Sequence, residues 1–124
     1  MQGKEKNKKT YIEYKQNQNS SWSEKSYWGG TMADNGCGIT SMAIIGSGYG
    51  LQITPEDLRQ KYYPHLNGAD MEKAIEKMGI KCTDFYFSSS HISKSYIKEW
   101  LRTSRPVLIC VDNSKPNRWT QASH

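Results

Sequence analysis

The 124-residue chain is 35% hydrophobic and 23% charged, with three Cys, four Trp and eight Tyr, which limits it to one small domain with a modest core. Its longest apolar runs, Met42 to Ile45 and Pro106 to Val111, fall far short of the roughly 20 residues that cross a bilayer, so no membrane span is expected. The formal net charge of +5 is mostly a tail: residues 1–15 hold Lys4, Lys6, Lys8, Lys9 and Lys15 against Glu5 and Glu13, and the rest of the chain is nearly balanced. A Lys/Asn/Gln-rich stretch without apolar periodicity reads as a solvated arm over residues 1–13, not as a specific nucleic-acid surface. Cys37, Cys82 and Cys110 are odd in number and widely spaced, which fits neither a paired disulfide framework nor close-spaced zinc ligation, so each reads as a thiol. The opening Met-Gln-Gly-Lys-Glu-Lys has no apolar core of the export-signal kind; the expectation is a cytoplasmic protein, or an exported one whose signal lies outside this sequence.

From Tyr11 to Tyr27, aromatic residues alternate with Gln, Asn and Ser in neither a 3.6 nor a 2 period, which predicts an ordered loop. Trp28-Gly29-Gly30 and Asn35-Gly36-Cys37-Gly38 punctuate it with turn signals. A helix is predicted from Cys37 to Ser47, where Ile39, Met42, Ala43 and Ile45 stand among small residues suited to burial on most sides, with Gly46, Ser47, Gly48 and Gly50 ending it. Thr54-Pro55-Glu56-Asp57 starts a second helix: Thr54 caps, Pro55 takes the first helical position, Asp57 answers the cap, and the helix ends near Tyr62. Met71, Ala74, Ile75 and Met78 mark a third over residues 69–78, stopped by Gly79. Ile80 to Phe87 reads as a strand, Ser93 to Thr103 as a helix through Tyr96, Ile97, Trp100 and Leu101, and Val107 to Val111 as a central strand.

Cys37 stands between two glycines at the start of a helix predicted to be buried, where unpaired amides and the helix dipole favour thiolate over thiol. The flanking glycines would let a substrate backbone approach the sulfur. Other candidates read structurally. His65 follows a helix in a Tyr-Tyr-Pro loop and suits a surface or capping role; His91 sits among serines beyond a strand; Ser88 to Ser90 lack the Gly-x-Ser-x-Gly elbow of serine hydrolases. Cys82 and Cys110 fall on predicted strands as small packing residues. Glu56 and Asp57 serve a helix start, and Glu72 and Glu76 share a solvated face with Lys73 and Lys77. No metal constellation is visible and no cofactor is implied, since Gly46-Ser-Gly48-Tyr-Gly50 lacks the Lys-Ser/Thr of a phosphate loop.

Tyr14-Lys-Gln16, Trp22, Gly29-Gly30-Thr31 and Asp34-Asn-Gly-Cys37-Gly-Ile-Thr-Ser-Met-Ala43, followed by Thr54-Pro-Glu-Asp-Leu, Arg105-Pro-Val-Leu-Ile, Trp119-Thr and Ser123-His124, resemble papain-like bacterial cysteine peptidases related to the bacteriocin-processing double-glycine peptidases. The resemblance runs over residues 14–124. It implies an α+β papain-like fold, with the nucleophile at a helix N-terminus packed on a small antiparallel sheet. It also implies Cys37 as nucleophile, His124 as general base, and Gln16 or Gln18 as the oxyanion-hole glutamine. In the family an Asp or Asn downstream of the histidine orients the imidazole; the sequence ends at His124, so an incomplete domain lacking its C-terminal strands is expected. The implied partner is a peptide or protein substrate, and the implied setting an extracellular or cell-surface bacterial protein. Two other readings of the scaffold are a peptidoglycan endopeptidase or amidase acting on cell-wall peptide, and an inactive binding domain.

Overall fold

Ile39, Met42, Ala43 and Gly46 recur at the spacing of one helix face, and together with Thr40 they are the buried residues of the longest described helix. The computed structural model describes residues 9–17, 21–67, 70–82 and 94–109. In chain order these form β1 (Ser26–Tyr27), β2 (Gly30–Thr31), α1 (Met32–Asn35), α2 (Cys37–Gly48), α3 (Pro55–Lys61), α4 (Met71–Lys77) and α5 (Lys94–Arg102). Helices with a two-stranded antiparallel sheet, Ser26 opposite Thr31 and Tyr27 opposite Gly30, make the α+β fold expected. No described helix is long and apolar enough to cross a membrane.

The core gathers around α2, which has no fully exposed residue along its length. Met32 of α1, Tyr27 of β1, Leu58 of α3, Ala74 and Ile75 of α4, and Ile80 close over it. Gly46, expected among the residues that end the helix, is buried inside it, and the stop falls two residues later, where the Leu51 and Tyr49 amides both return to the Gly46 carbonyl at 3.0 Å. The residues before α2 also cover it. Ile12 donates its amide to Ser47 Oγ at 2.8 Å, the Tyr11 ring lies over Gly48, and Lys9 Nζ reaches the Ser104 carbonyl at 3.0 Å while sitting over the Tyr49 ring. Of the arm predicted over residues 1–13, the described part from Lys9 onward thus rests on α2 and on the turn after α5, because exposed Tyr11 and Ile12 side chains bury part of their area there.

α3 forms where predicted. Thr54 Oγ1 accepts from the Asp57 amide at 3.1 Å while the Thr54 amide donates to Asp57 Oδ2 at 2.9 Å, and Pro55 occupies the first turn, where its missing N–H costs nothing. The cap turns Leu58, 2% exposed, into the core, and α3 packs on α2. On its outer side Arg59 forks onto Glu56 through Nε and Nη2, both at 2.8 Å, and reaches the Ser26 carbonyl with Nη1 at 3.1 Å, tying α3 to β1. α5 lies where predicted; no side chain of it is buried, and Trp100 donates from Nε1 to the Pro106 carbonyl at 3.3 Å beneath the Arg105 guanidinium. Of the two strands predicted later in the chain, Ile80 to Cys82 and Val107 to Ile109 carry no ladder pairing, and residues 83–87 and 110–111 lie outside the described residues.

Leu58→Ala should lower unfolding free energy by about 2–5 kcal/mol, because it leaves a hole against α2. Thr54→Ala should cost about 1 kcal/mol through the cap alone. Urea titrations with unchanged slope distinguish the two. The Arg59 guanidinium holds the Glu56 carboxyl at about 2, from an ordinary 4.5, against the opposing effect of burial. A carboxyl lowered on folding stabilises fully above its unfolded value, and that contribution disappears as pH falls toward the folded one. Glu56→Gln should therefore destabilise the protein at about pH 6, and the difference should shrink below pH 4.5 and vanish only as pH falls through about 2, read from the shift of the urea midpoint at each pH.

Candidate active site

Cys37 is the first residue of α2 and is half-buried. Regular helical bonding begins with the Thr40 amide donating to the Gly36 carbonyl at 2.9 Å, so Cys37 occupies the positive end of a 12-residue helix. The two flanking glycines have a cause the sequence did not reveal. A Cβ on Gly36 would stand 2.7 Å from the Met32 carbonyl oxygen and 2.8 Å from its sulfur, a clash with backbone that cannot relax. On Gly38 it would meet the Met71 methyl at 2.8 Å, an end of side chain that is able to move. Their spaces are faced by the protein's own atoms, Met32 behind Gly36 and Met71 beside Gly38.

What leads into Cys37 is a frame of short elements that sequence reading left as loop. Thr31 and Asp34 form a second reciprocal cap, with the Asp34 amide donating to Thr31 Oγ1 at 3.3 Å and the Thr31 amide donating to Asp34 Oδ2 at 3.4 Å, which sets the single turn α1. The Thr-x-x-Asp spacing was its signal. The first amides of α1 are used by the loop before β1: Met32 donates to the Lys25 carbonyl at 2.8 Å and Ala33 to the Ser23 carbonyl at 2.9 Å. Asn35, at the end of α1, forks its Nδ2 onto the Tyr27 carbonyl at 3.1 Å and the Trp28 carbonyl at 3.0 Å. β1 and β2 are thereby hung on the turn that precedes the thiol.

Tyr27 projects inward from β1, 3% exposed, and its hydroxyl accepts from the Leu66 amide at 2.9 Å. Burial pushes its phenol up, the Leu66 bond pulls the other way, and negative charge on Cys37 adds to the rise. His65 contacts Tyr27 at 6.3 Å between ring centroids and stacks on Trp28 at 4.2 Å with a 16° angle between planes.

Of the glutamines expected at the site, Gln16 is half-buried and donates from Nε2 to the Ala33 carbonyl at 2.9 Å, against the turn of α1 that leads to Cys37. Beside it, Trp22 donates to the Lys15 carbonyl at 2.7 Å and meets the Tyr14 ring edge-on at 5.9 Å, so the Tyr14-Lys-Gln16 segment is fixed by its own aromatic residues. Gln18 and His124 lie outside the described residues, as do His91, Cys110 and Ser88 to Ser90. Burial, with Glu72 and Glu76 nearby, pushes the Cys82 thiol up, which disfavours its thiolate. Among the described residues, no group of three or more His, Cys, Asp or Glu side chains is placed to hold a metal ion.

The chain matches the family model described as peptidase C39 family over residues 27–114. The matched segment starts at Tyr27, the second residue of β1, and contains Cys37 with β2 and α1 to α5; Gln16, Gln18 and His124 fall outside it. No curated protein and no solved structure matches. Because one amide holds both hairpin carbonyls, Asn35→Ala should cost about 1–3 kcal/mol, that is, two bonds of ordinary worth. It should also accelerate amide hydrogen exchange across residues 26–31 while leaving the Leu58 region protected.

Proposed function

The chain belongs to the peptidase C39 family, and on that footing we propose that it hydrolyses peptide bonds as a papain-like cysteine peptidase with Cys37 as its nucleophile. The observation that carries the proposal is the position of Cys37: the first residue of a helix packed on every side, inside the segment that matches the family. The dipole of such a helix, fixed by surrounding side chains, favours a thiolate at its N-terminus without any motion during the reaction. The sulfur attacks the carbonyl carbon of a peptide substrate. The negative oxygen that results is held by the Cys37 amide and by a glutamine side chain. Gln16 is preferred over Gln18 for that role, supported by its bond to the Ala33 carbonyl four residues ahead of the sulfur; that bond uses one amide hydrogen and leaves the other to donate. His124 takes the thiol proton and returns it to the leaving amine, after which water hydrolyses the thioester with the same group as base.

The test is the rate of Cys37 alkylation by iodoacetamide against pH, with cleavage of unstructured peptides measured alongside. Cys37 should react at pH values below those an ordinary cysteine of pKa about 8.5 requires, and His124→Ala should shift its profile upward. Gln16→Ala should reduce kcat by about 100-fold to 1000-fold with little change in the alkylation profile, as loss of one oxyanion donor does. An alkylation profile identical to that of Cys82, or peptide cleavage that persists in Cys37→Ala, would overturn the reading.

A further inference from the structure

β1 and β2 are joined by a two-residue turn, Trp28-Gly29, with φ of 50° and 74°. Positive φ at both central residues marks the type I′ hairpin, whose first position favours Asn, Asp or Gly. A tryptophan there is held in a backbone region that bulky L-residues avoid. Its indole does not compensate by burial: Trp28 is 59% exposed, with one face stacked on His65. The backbone that carries the ring is held on both sides. The Trp28 amide donates to the Pro64 carbonyl at 2.8 Å, the Trp28 carbonyl accepts from Asn35, and Asn35 is two residues ahead of Cys37. Tyr27 completes the connection, in ring contact with His65.

The His65 stack uses one face of the indole, and the ring stays largely open to solvent in a backbone conformation suited to asparagine. Resting on the peptidase reading above, we propose that the Trp28–His65 stack is a substrate subsite, a flat shelf that receives an apolar side chain, aromatic or large aliphatic, of the peptide cleaved at Cys37. An indole face accepts such side chains at little entropic cost, since its own two torsions are already fixed by the stack. A cationic side chain fits less well. Ser26 and Tyr63, each two residues before a member of the stack, line an open cleft with Lys25, Gln60 and Arg59; Arg59 is paired with Glu56, and Lys25 places positive charge in that cleft.

The experiment uses peptidyl acyloxymethyl ketones, from which the Cys37 sulfur displaces the carboxylate to form a thioether. Phe, Leu, Gly or Lys is placed in turn at the second, third and fourth residues before the reactive carbonyl. Wild-type protein should select Phe or Leu over Gly and Lys by about tenfold at one of these positions, the scale of one apolar contact. Trp28→Asn suits the turn better than tryptophan does and should fold at least as well, yet lose that selectivity while its rate with iodoacetamide stays unchanged. Trp28→Phe should retain most of it. Equal selectivity in wild type and Trp28→Asn, or none in wild type, overturns the shelf while leaving the peptidase intact. Failure of Cys37 to react with any reagent, iodoacetamide included, overturns the peptidase reading and the shelf with it.

Discussion

A helix with no exposed residue cannot stand until something covers each of its sides, and α2 imposes that requirement on everything else in the described fold. Its small residues allow close neighbours, and its apolar ones require them. α3 and α4 cover one part through Leu58, Ala74 and Ile75; Met32 and Tyr27 cover the N-terminal turn; Tyr11 and Ile12 cover the last turn. Chemistry benefits from the arrangement in a particular way. A helix dipole stabilises a charge most when the helix does not shift and when water has limited access to its end, and both conditions come from this packing.

The frame ahead of Cys37 is held differently, with few apolar contacts and many backbone bonds. The described residues between 14 and 35 include strands of two residues and a helix of four, none of which is stable in isolation. They persist because orphan groups of one piece are satisfied by the next: loop carbonyls take the first amides of α1, Asn35 takes the hairpin carbonyls, and Gln16 takes the Ala33 carbonyl. Gln16, Tyr27 and Trp28 are therefore all referenced to the same short turn, and that turn ends at Cys37. Arg59 adds an outside brace by joining α3 to β1.

The longer helices were legible because their signals are local. Thr54-Pro55-Glu56-Asp57 states its own start, and the Ile39, Met42, Ala43 and Gly46 face states a helix whatever it packs against. The frame was not legible, since two-residue strands carry no period to detect, and Asn35-Gly36 reads as a turn when its side-chain fork is unseen. α1 could have been found from Thr31 and Asp34, whose spacing repeats that of Thr54 and Asp57. Cys37 stood out as a candidate from its setting between glycines ahead of a helix, and the contact between Gln16 and Ala33 was not legible, because it joins residues 17 apart through a loop without regular structure. The docking of Tyr11 and Ile12 was missed for a related reason: the lysines before them set the tone of the segment, and two apolar side chains are too few to make a pattern.

The glycine before the cysteine invites interpretation as a mark of reactivity, and its surroundings argue otherwise. Gly36 is small because the Met32 carbonyl oxygen occupies the place of a side chain, a demand of the tight passage from α1 into α2 that would be the same with serine or alanine at position 37. A chain with either of those residues at position 37 would still be compelled to keep it. Gly38 is opposed only by a pliable methionine methyl. The pair of glycines thus answers to two separate constraints: the leading one is dictated by the backbone's route, the trailing one by a side chain that is able to give way.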